Sequence, residues 1–240
     1  MPTYTHTSGA VAEHLSAEIA IPFPSSISAG NLLICYCAVR QFNGGTVGTT
    51  PATSDGFTLL ATSSPGTSDA SWVYGKIATG SESGTVPFDT GVVDGQAGQM
   101  ARFPPPAGYT WPAIAGILAG STEASSGATT ALIYAARTVG RIGNLVIQFA
   151  KKPSSGTITA IASTSGFTKC VEGYGSGGFV MSYAGQYQSV TGNVAANSVA
   201  ITTEATSSAV GGLTVELICN GPLHVYTSRS RRHRADLLRI

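Results

Sequence analysis

Short runs of Val, Ile, Leu, Thr and aromatic residues alternate along the chain with clusters of Gly, Pro, Ser and Asn. The runs recur at intervals of roughly ten to fifteen residues, a spacing typical of all-β sandwiches and barrels. Helical patterning is confined to residues 8–18, where Gly9 and β-branched neighbours weaken it. The pattern predicts ten strands, and therefore two sheets, at residues 31–40, 56–61, 71–78, 84–88, 114–119, 145–150, 157–162, 179–187, 198–203 and 212–219.

Two motifs occur twice in the same order. Gly-Asn-Leu-Leu-Ile at residues 30–34 recurs as Gly-Asn-Leu-Val-Ile at 143–147, and Gly-Phe-Thr at 56–58 recurs at 166–168. An aromatic-bearing strand follows each Gly-Phe-Thr, at 72–74 and at 179–183. Chance recurrence of a tripeptide in a Gly- and Thr-rich chain is the alternative, but two ordered matches favour internal duplication.

Duplicated halves allow either one sandwich or two tandem domains. No charged or Pro-rich linker separates the halves, and residues 120–130 are interpreted as an ordinary Ser/Gly/Ala/Thr loop. We therefore expect one β-sandwich over residues 21–222, with halves at about 21–110 and 130–220. An N-terminal segment, 1–20, precedes it, and a basic arm, 223–240, follows it.

Three segments carry a family resemblance: Pro-x-Ser-x-x-x-Gly-Asn-Leu-Leu-Ile at 24–34, the Thr-Pro and Gly-Phe-Thr segment, and Tyr-Gly-Lys-Ile-Ala-Thr-Gly-Ser-Glu-Ser-Gly-Thr at 74–85. Over about residues 20 to 220 the chain resembles jelly-roll-like accessory virion proteins of tailed bacteriophages. Asn31 stands where an acidic residue is common, and Phe57 where Trp is common. The resemblance implies a structural protein of the virion, on the head as decoration or cement, or in the tail.

Charge is scarce and unevenly placed. Charged residues make up 10% of the chain against 42% hydrophobic residues, well below the roughly 25% charged residues of ordinary soluble domains. A weakly charged, Thr-rich surface is common in proteins that pack side by side, so we expect assembly, including a homo-oligomer. With neither a secretory signal nor an apolar run long enough for a bilayer, we expect synthesis in the cytoplasm and no membrane partner. The resemblance implies that the cytoplasm is that of a host and that the protein resides in the virion.

No catalytic set, metal site or cofactor is predicted. The four histidines, His6, His14, His224 and His233, all lie near the termini, away from any candidate nucleophile. Residues 173–178 match G-x-G-x-x-G, but a strand rather than a helix follows, so we interpret them as a hairpin loop. Six acidic residues are placed in loops without a spacing that indicates glycoside cleavage or calcium binding: Asp55, Asp69, Glu82, Asp89, Asp94 and Glu123.

The cysteines are expected to be reduced core residues. Cys35 and Cys37 are two residues apart on a strand, so their side chains point to the same face and cannot readily pair. Cys170 and Cys219 complete the set. A Cys-x-Cys metal site would need further ligands that the neighbouring sequence does not supply.

Aromatic residues supply the first of two candidate partner sites. Tyr109 and Trp111 follow three prolines, which favours a stiff, extended segment near the surface. Packing against a neighbouring subunit is the preferred interpretation. A stacking platform for a host-surface glycan, as in a receptor- or carbohydrate-binding module of a tail fibre, is the alternative. Trp72 and Tyr74 share a strand face, which favours the core.

The basic C-terminal arm is the second candidate site. Residues 228–240 carry a net charge of +4, whereas the rest of the chain carries −3. Binding of nucleic acid by counterion release is disfavoured, because no aromatic residues or fold motif accompany the arginines. Arginine forks can pair with carboxylates of capsid or tail subunits, while apolar residues at the end anchor the arm by burial. The predicted contact residues are Arg229, Arg231, Arg232, Arg234, Leu237, Leu238 and Ile240.

Overall fold

The chain folds into antiparallel β-sheets that pack against each other, which confirms the predicted all-β sandwich class. The computed structural model describes residues 2–14, 18–40, 52–53, 55–63, 69–89, 95–128, 131–154, 158–161, 164–173, 180–195, 197–203 and 209–221. The partner residues predicted in the arm, from Arg229 to Ile240, lie outside these ranges.

The described strands fall into a first half and a second half. The first half contains β1 (Thr7–Ser8), β2 (Ala12–His14), β3 (Glu18–Pro22), β4 (Leu32–Arg40), β5 (Ala52–Thr53), β6 (Thr58–Ser63), β7 (Asp69–Ile77), β8 (Thr85–Asp89) and β9 (Gly95–Phe103). After a 3-10 turn at Ile114–Gly116, the second half contains β10 (Leu118–Ala128), β11 (Ala131–Tyr134), β12 (Leu145–Ser154), β13 (Ile158–Ile161), β14 (Thr168–Gly173), β15 (Val180–Ser189), β16 (Asn197–Thr203) and β17 (Ala209–Leu217).

Each half builds one large and one small sheet in the same strand order. The large sheets run β1-β9-β4-β7-β6, with β2 also on β9, and β10-β17-β12-β15-β14. The small sheets run β3-β8-β5 and β11-β16-β13. Since β9, β4, β7 and β6 correspond in order to β17, β12, β15 and β14, the two halves share one topology.

The repeated motifs form the same turn in both halves. Gly30 and Gly143 have φ of 81° and 94°, a backbone region that favours glycine. The Gly30 N–H donates to Ala78 O at 2.9 Å, and the Gly143 N–H donates to Val190 O, also at 2.9 Å. The two Gly-Phe-Thr motifs precede strands with a register shift at the same place, after Leu59 in β6 and after Lys169 in β14. Equal geometry at both copies supports internal duplication.

The large sheets pack face to face around one shared hydrophobic cluster. Alternate residues of β4 and of β12 point into it, as expected for strands whose side chains alternate between faces. At its centre Tyr36 and Phe149, which occupy the same place in the two halves, stack with centroids 4.7 Å apart and planes 1° apart. This central cluster consists mainly of large apolar residues: Leu32, Ile34, Tyr36, Leu145, Ile147, Phe149, Met181, Tyr183, Leu213 and Leu217.

Each small sheet covers the outer face of its own large sheet. In the first half, Ile19, Ile21 and Phe88 pack there against Trp72 and Tyr74, which places both of these aromatics in the core as predicted. In the second half, Leu132 and Tyr134 pack against β12, β15 and β17. The protein thus has four sheet layers, with the two large sheets inside. The halves are neither interleaved strand by strand nor separate, since the described strand ladders stay within a half while the central cluster joins them.

Three segments differ from the sequence expectation. Residues 120–130, predicted as a loop, belong largely to β10, which pairs with β17 from Leu118 to Ala128. Residues 95–103, not predicted as a strand, form the central strand β9. The stretch with helical features forms β2, and β1 to β3 belong to the first half's sheets, so the sandwich begins before residue 21.

Candidate functional site

Trp111, predicted near the surface, is buried. Its side chain is 8% exposed, it stacks on Tyr4 with a centroid distance of 5.6 Å, and its indole N–H donates to Phe103 O at 3.1 Å. Tyr4 in turn donates to Gly143 O at 2.6 Å, in the second half. The ring therefore belongs to a clasp, formed by the N-terminal segment, that joins the halves. A glycan platform on Trp111 would require this clasp to open.

Tyr109 lies beside Gly221, the last residue that the structure describes. It is half-buried against the central cluster, and a Cβ added at Gly221 would come within 2.8 Å of its ring. An antiparallel bridge joins Thr110 to Asn220, with N–H to O distances of 2.9 Å in both directions. The segment after the three prolines is therefore fixed beside the residues that lead into the predicted arm.

A cleft at the seam between the halves brings together histidine, serine and cysteine. It has a volume of about 310 Å³ and is lined by His6, Ser8 and Gln99 from the first half and by residues 169–172 from the second. The His6 ring approaches the hydroxyl of Tyr187 at 3.3 Å, and Ser8 donates to the carbonyl of Cys170. The His6 ring therefore contacts a tyrosine, and the Ser8 hydroxyl is bound to a backbone carbonyl. Both contacts connect the first half to the second, so these side chains hold the halves together.

The four cysteines are buried and unbridged, as predicted. Burial raises the pKa of the Cys37 thiol to about 12, and it raises the pKa of Cys170 further. Thiols are poor nucleophiles and metal ligands until they lose the proton. Within the described part of the chain, no group of three or more His, Cys, Asp or Glu side chains could hold a metal ion.

A buried carboxylate at the end of β17 holds the Gly-Asn turn of the second half. Glu216 is 1% exposed and accepts from Asn144 Nδ2 at 2.6 Å, from the Gly140 N–H at 2.9 Å and from Arg137 Nε at 3.2 Å. Arg102 takes the same place in the first half, where it donates to Thr7 Oγ1 at 2.8 Å and to Ser26 O at 2.5 Å. Arg102 also donates to Asn31 Oδ1 at 3.5 Å, so residues of opposite charge contact the asparagine of the Gly-Asn turn in the two halves.

A buried ion pair crosses the seam. Lys151 Nζ, on β12 of the second half, lies 2.5 Å from Asp69 Oδ1, on β7 of the first, and the Lys151 side chain is fully buried. Burial lowers the pKa of Lys151, and the nearby Asp69 carboxylate opposes that shift. Near them Ser63 Oγ donates to Glu123 Oε1 across the same seam at 2.8 Å. Asp69 and Glu123, both predicted in loops, lie on strands and join the halves.

Glu82 organises the turn after β7 in the first half. Its carboxylate accepts from the N–H groups of Thr79 and Gly80 at 2.8 and 2.9 Å and lies 3.1 Å from Lys76 Nζ. Burial opposes ionisation, but the hydrogen bonds from Thr79, Lys76 and Gly80 outweigh it and lower the pKa of Glu82 to about 2. The sequence Gly-Ser-Glu-Ser-Gly is thus a turn built around its glutamate.

This turn predicts a loss of stability in acid. The folded state holds the Glu82 pKa below its ordinary value of 4.5, so its contribution is present above pH 4.5 and is lost as the pH falls toward 2. The contribution is on the order of 2 kcal/mol after allowance for solvent screening. Urea unfolding at a series of acid pH values measures it. Glu82→Gln should flatten the profile over that interval, and an unchanged profile would contradict the assignment.

Comparison with protein-family models, with curated proteins and with solved structures finds no match for this chain. Lys151, which joins the halves, and Glu216, which holds the second-half turn, were not singled out from sequence, and Asp69 was placed in a loop. One signal was available for Lys151, because Lys-Lys directly continues the apolar run of a predicted central strand. In the described residues, no helix is long and apolar enough to cross a membrane.

Proposed function

We propose that this protein is a non-catalytic structural component of a tailed-phage virion, a head-decoration or tail accessory protein that binds neighbouring virion subunits. The resemblance of about residues 20 to 220 to accessory virion proteins supplies the class. The observation that supports a subunit-binding role is the bridge between Thr110 and Asn220. It fixes Tyr109, one predicted contact residue, beside residues 220–221, which precede in sequence the arm that carries the others.

The internal contacts fit a structural role. Glu216 is held by Arg137 and Asn144, Asp69 pairs with Lys151, and His6 packs on Tyr187, so these groups stabilise turns and seams. Contacts that join the halves stabilise the fold, as a protein that has to stay folded within a particle requires. In this proposal the sandwich is a rigid body, and the partner-binding surface is the arm together with the exposed edge of Tyr109.

Removal of residues 228–240 tests the proposal. We expect the truncated protein to keep the melting transition of the full chain, because the described sheets and clusters end before the arm. We expect its copy number in purified particles to fall about tenfold or more, which corresponds to roughly 1.4 kcal/mol of lost binding free energy. Quantitative mass spectrometry of gradient-purified particles, from cells expressing either form, measures the ratio.

Two controls sharpen this experiment. Replacing Arg229, Arg231, Arg232 and Arg234 with lysine keeps the charge but removes the bidentate forks, and should weaken incorporation if carboxylates are the partners. Tyr109→Ser changes the other part of the proposed surface and leaves the arm intact, so it separates the contribution of Tyr109 from that of the arm. Normal incorporation of the truncated protein would overturn the arm's role, and absence of the full chain from particles would overturn the virion assignment.

A further inference from the structure

The turn after β15 in the second half lines an open pocket. It has a volume of about 340 Å³, within the usual size of small-molecule sites. Its walls come from the turn before β14, the end of β15, residues 190–195 and Asn197. The described residues that line it are all neutral: Thr164, Ser165, Phe167, Gln188, Ser189, Val190, Thr191, Gly192, Asn193, Val194, Ala195 and Asn197.

The first half fills the corresponding turn with an ion pair. Gln188 and Lys76 occupy the same register position, opposite Val146 on β12 and Leu33 on β4. Lys76 pairs with Glu82 and lies over the Phe57 ring, 5.8 Å from its centroid. In the second half residues 190–195 contain no acidic residue, and Gln188 replaces the lysine. The second-half turn thus lacks both charges of its first-half counterpart, and an open pocket lies there.

Two polar atoms at this pocket are buried without a hydrogen-bond partner. Ser189 Oγ and Asn197 Oδ1 each lack one. A buried polar group left unpaired costs about 1–3 kcal/mol, and native proteins contain few such groups. Both residues line a cavity wide enough for a small molecule, so a rotation that turns Ser189 Oγ or Asn197 Oδ1 toward the cavity would let hydroxyl groups of a ligand supply the missing partners.

The remaining groups define the ligand's chemistry. Asn193 Oδ1 accepts from the Val139 N–H at 3.2 Å, which leaves its amide nitrogen as a donor, and Gln188 adds a second amide. Phe167 is half-buried, more open than its counterpart Phe57, and offers an apolar ring at the pocket wall. Amides and hydroxyls beside one aromatic ring, without charge, suit the vicinal hydroxyls and apolar C–H face of a sugar.

We propose that this pocket, defined by Phe167, Gln188, Ser189, Asn193 and Asn197, binds a neutral sugar. The site lies in the second half and is independent of Tyr109, Trp111 and the arm. Amide and hydroxyl groups bind both hydroxyls of a neighbouring pair, and the ring contacts the face of the pyranose. Acidic sugars are disfavoured because no cation lines the described walls.

Binding is tested on the full chain with a panel of methyl glycosides. Saturation-transfer NMR with methyl glucoside, galactoside, mannoside and N-acetylglucosaminide, and with N-acetylneuraminic acid as the acidic comparison, identifies the ligand. We expect at least one neutral glycoside to bind in the millimolar range. Binding of none of them, or of the acidic sugar alone, would overturn the proposal.

Three variants and one matched control locate the binding. Gly192 lines the pocket, a Cβ there meets no atom within 4 Å and its φ is not positive, so Gly192→Phe can fill the space and should abolish binding. Gly116→Phe is the matched control, since a Cβ at Gly116 also meets nothing. Ser189→Ala and Asn197→Ala should each weaken binding about fivefold. Ser189→Ala should not lower the melting temperature, because it removes an unpaired buried hydroxyl, whereas Asn197→Ala also removes the contact of the amide nitrogen with Ala195 O at 3.5 Å.

The outcomes separate this site from the structural role. Glycoside signals that persist in Gly192→Phe would place binding elsewhere and refute the pocket. Normal incorporation into particles without glycoside binding would refute the pocket and leave the virion role unaffected. Binding that is lost in Gly192→Phe and kept in Gly116→Phe would support the pocket, whatever the incorporation experiment shows.

Discussion

Truncation of Phe149 to alanine is expected to lower the free energy of unfolding by about 3–5 kcal/mol, the usual cost of removing a buried aromatic side chain. Phe149 is 1% exposed and stacks on Tyr36 at the centre of the seam. Its ring also fills the space over Gly185, where an added Cβ would approach it within 2.8 Å. The variant would therefore leave a cavity bounded by both halves.

The same stack should couple the halves during unfolding. We expect urea denaturation to show one transition, with fluorescence of Trp72 and Trp111 coinciding with far-UV circular dichroism of the whole chain. Ile133→Ala is the matched apolar truncation, because Ile133 is 65% exposed and should change stability by less than about 0.5 kcal/mol. Equal effects of the two truncations, or separate transitions of the halves, would show that the central cluster does not join them.

Local turn chemistry explains why the duplication was readable from sequence. A backbone position in the left-handed region is usually occupied by glycine. Gly30 and Gly143 therefore still identify the two turns, although the sequences around them differ. The strands that follow them, β4 and β12, are buried on both faces and therefore read as continuous apolar runs. These two features fixed the class of the fold and the position of its central strands.

The missed strands have compositions that local reading assigns to loops. β9 reads Gly-Gln-Ala-Gly-Gln-Met-Ala-Arg-Phe and contains no β-branched residue, yet it pairs with β4 along its whole length. Close packing accounts for the small residues, since a Cβ at Gly98 would collide with Ile21 of the small sheet. Only the repeat could have revealed it, because the predicted strand at 212–219, moved back by the 113 residues that separate the Gly-Asn motifs, falls on 99–106 and overlaps the second part of β9.

The buried polar contacts depend on distant partners and were beyond sequence reasoning. Trp111 is buried because Tyr4, at the other end of the first half, stacks on it, whereas three prolines nearby suggest exposure. Asp69 resembles a loop residue because it follows Ser and Gly residues, and its environment is set by Lys151 from the other half. The pocket at Asn197 similarly required a comparison of the two folded turns.

Breaking the ion pair between Lys151 and Asp69 gives the second large expected effect. Asp69→Met leaves the fully buried Lys151 ammonium without its carboxylate, which should cost about 3–5 kcal/mol at neutral pH. Burial already lowers the pKa of Lys151, so the variant's folded state binds fewer protons than its unfolded state as the pH rises toward 10.5. The stability of Asp69→Met should therefore increase with pH in the alkaline range.

The pseudosymmetry of the fold supplies the rescuing variant. Ala38 is the first-half counterpart of Lys151, and Met181 is the second-half counterpart of Asp69; both lie in the central cluster. The double variant Lys151→Ala/Asp69→Met thus installs at one end of the seam the apolar pair that the other end already contains. Replacing a buried ion pair with packed apolar residues is often neutral or stabilising, so we expect the double variant to recover most of the loss.

A double-mutant cycle measured by urea unfolding gives the coupling energy of the pair. Lys151→Ala alone should cost less than Asp69→Met, because Asp69 also lies opposite the half-exposed Arg40 in the ladder between β4 and β7. Additive losses in the double variant would mean that the two ends of the seam are not interchangeable. Recovery would instead show that an apolar contact can take the place of the ion pair at this end of the seam.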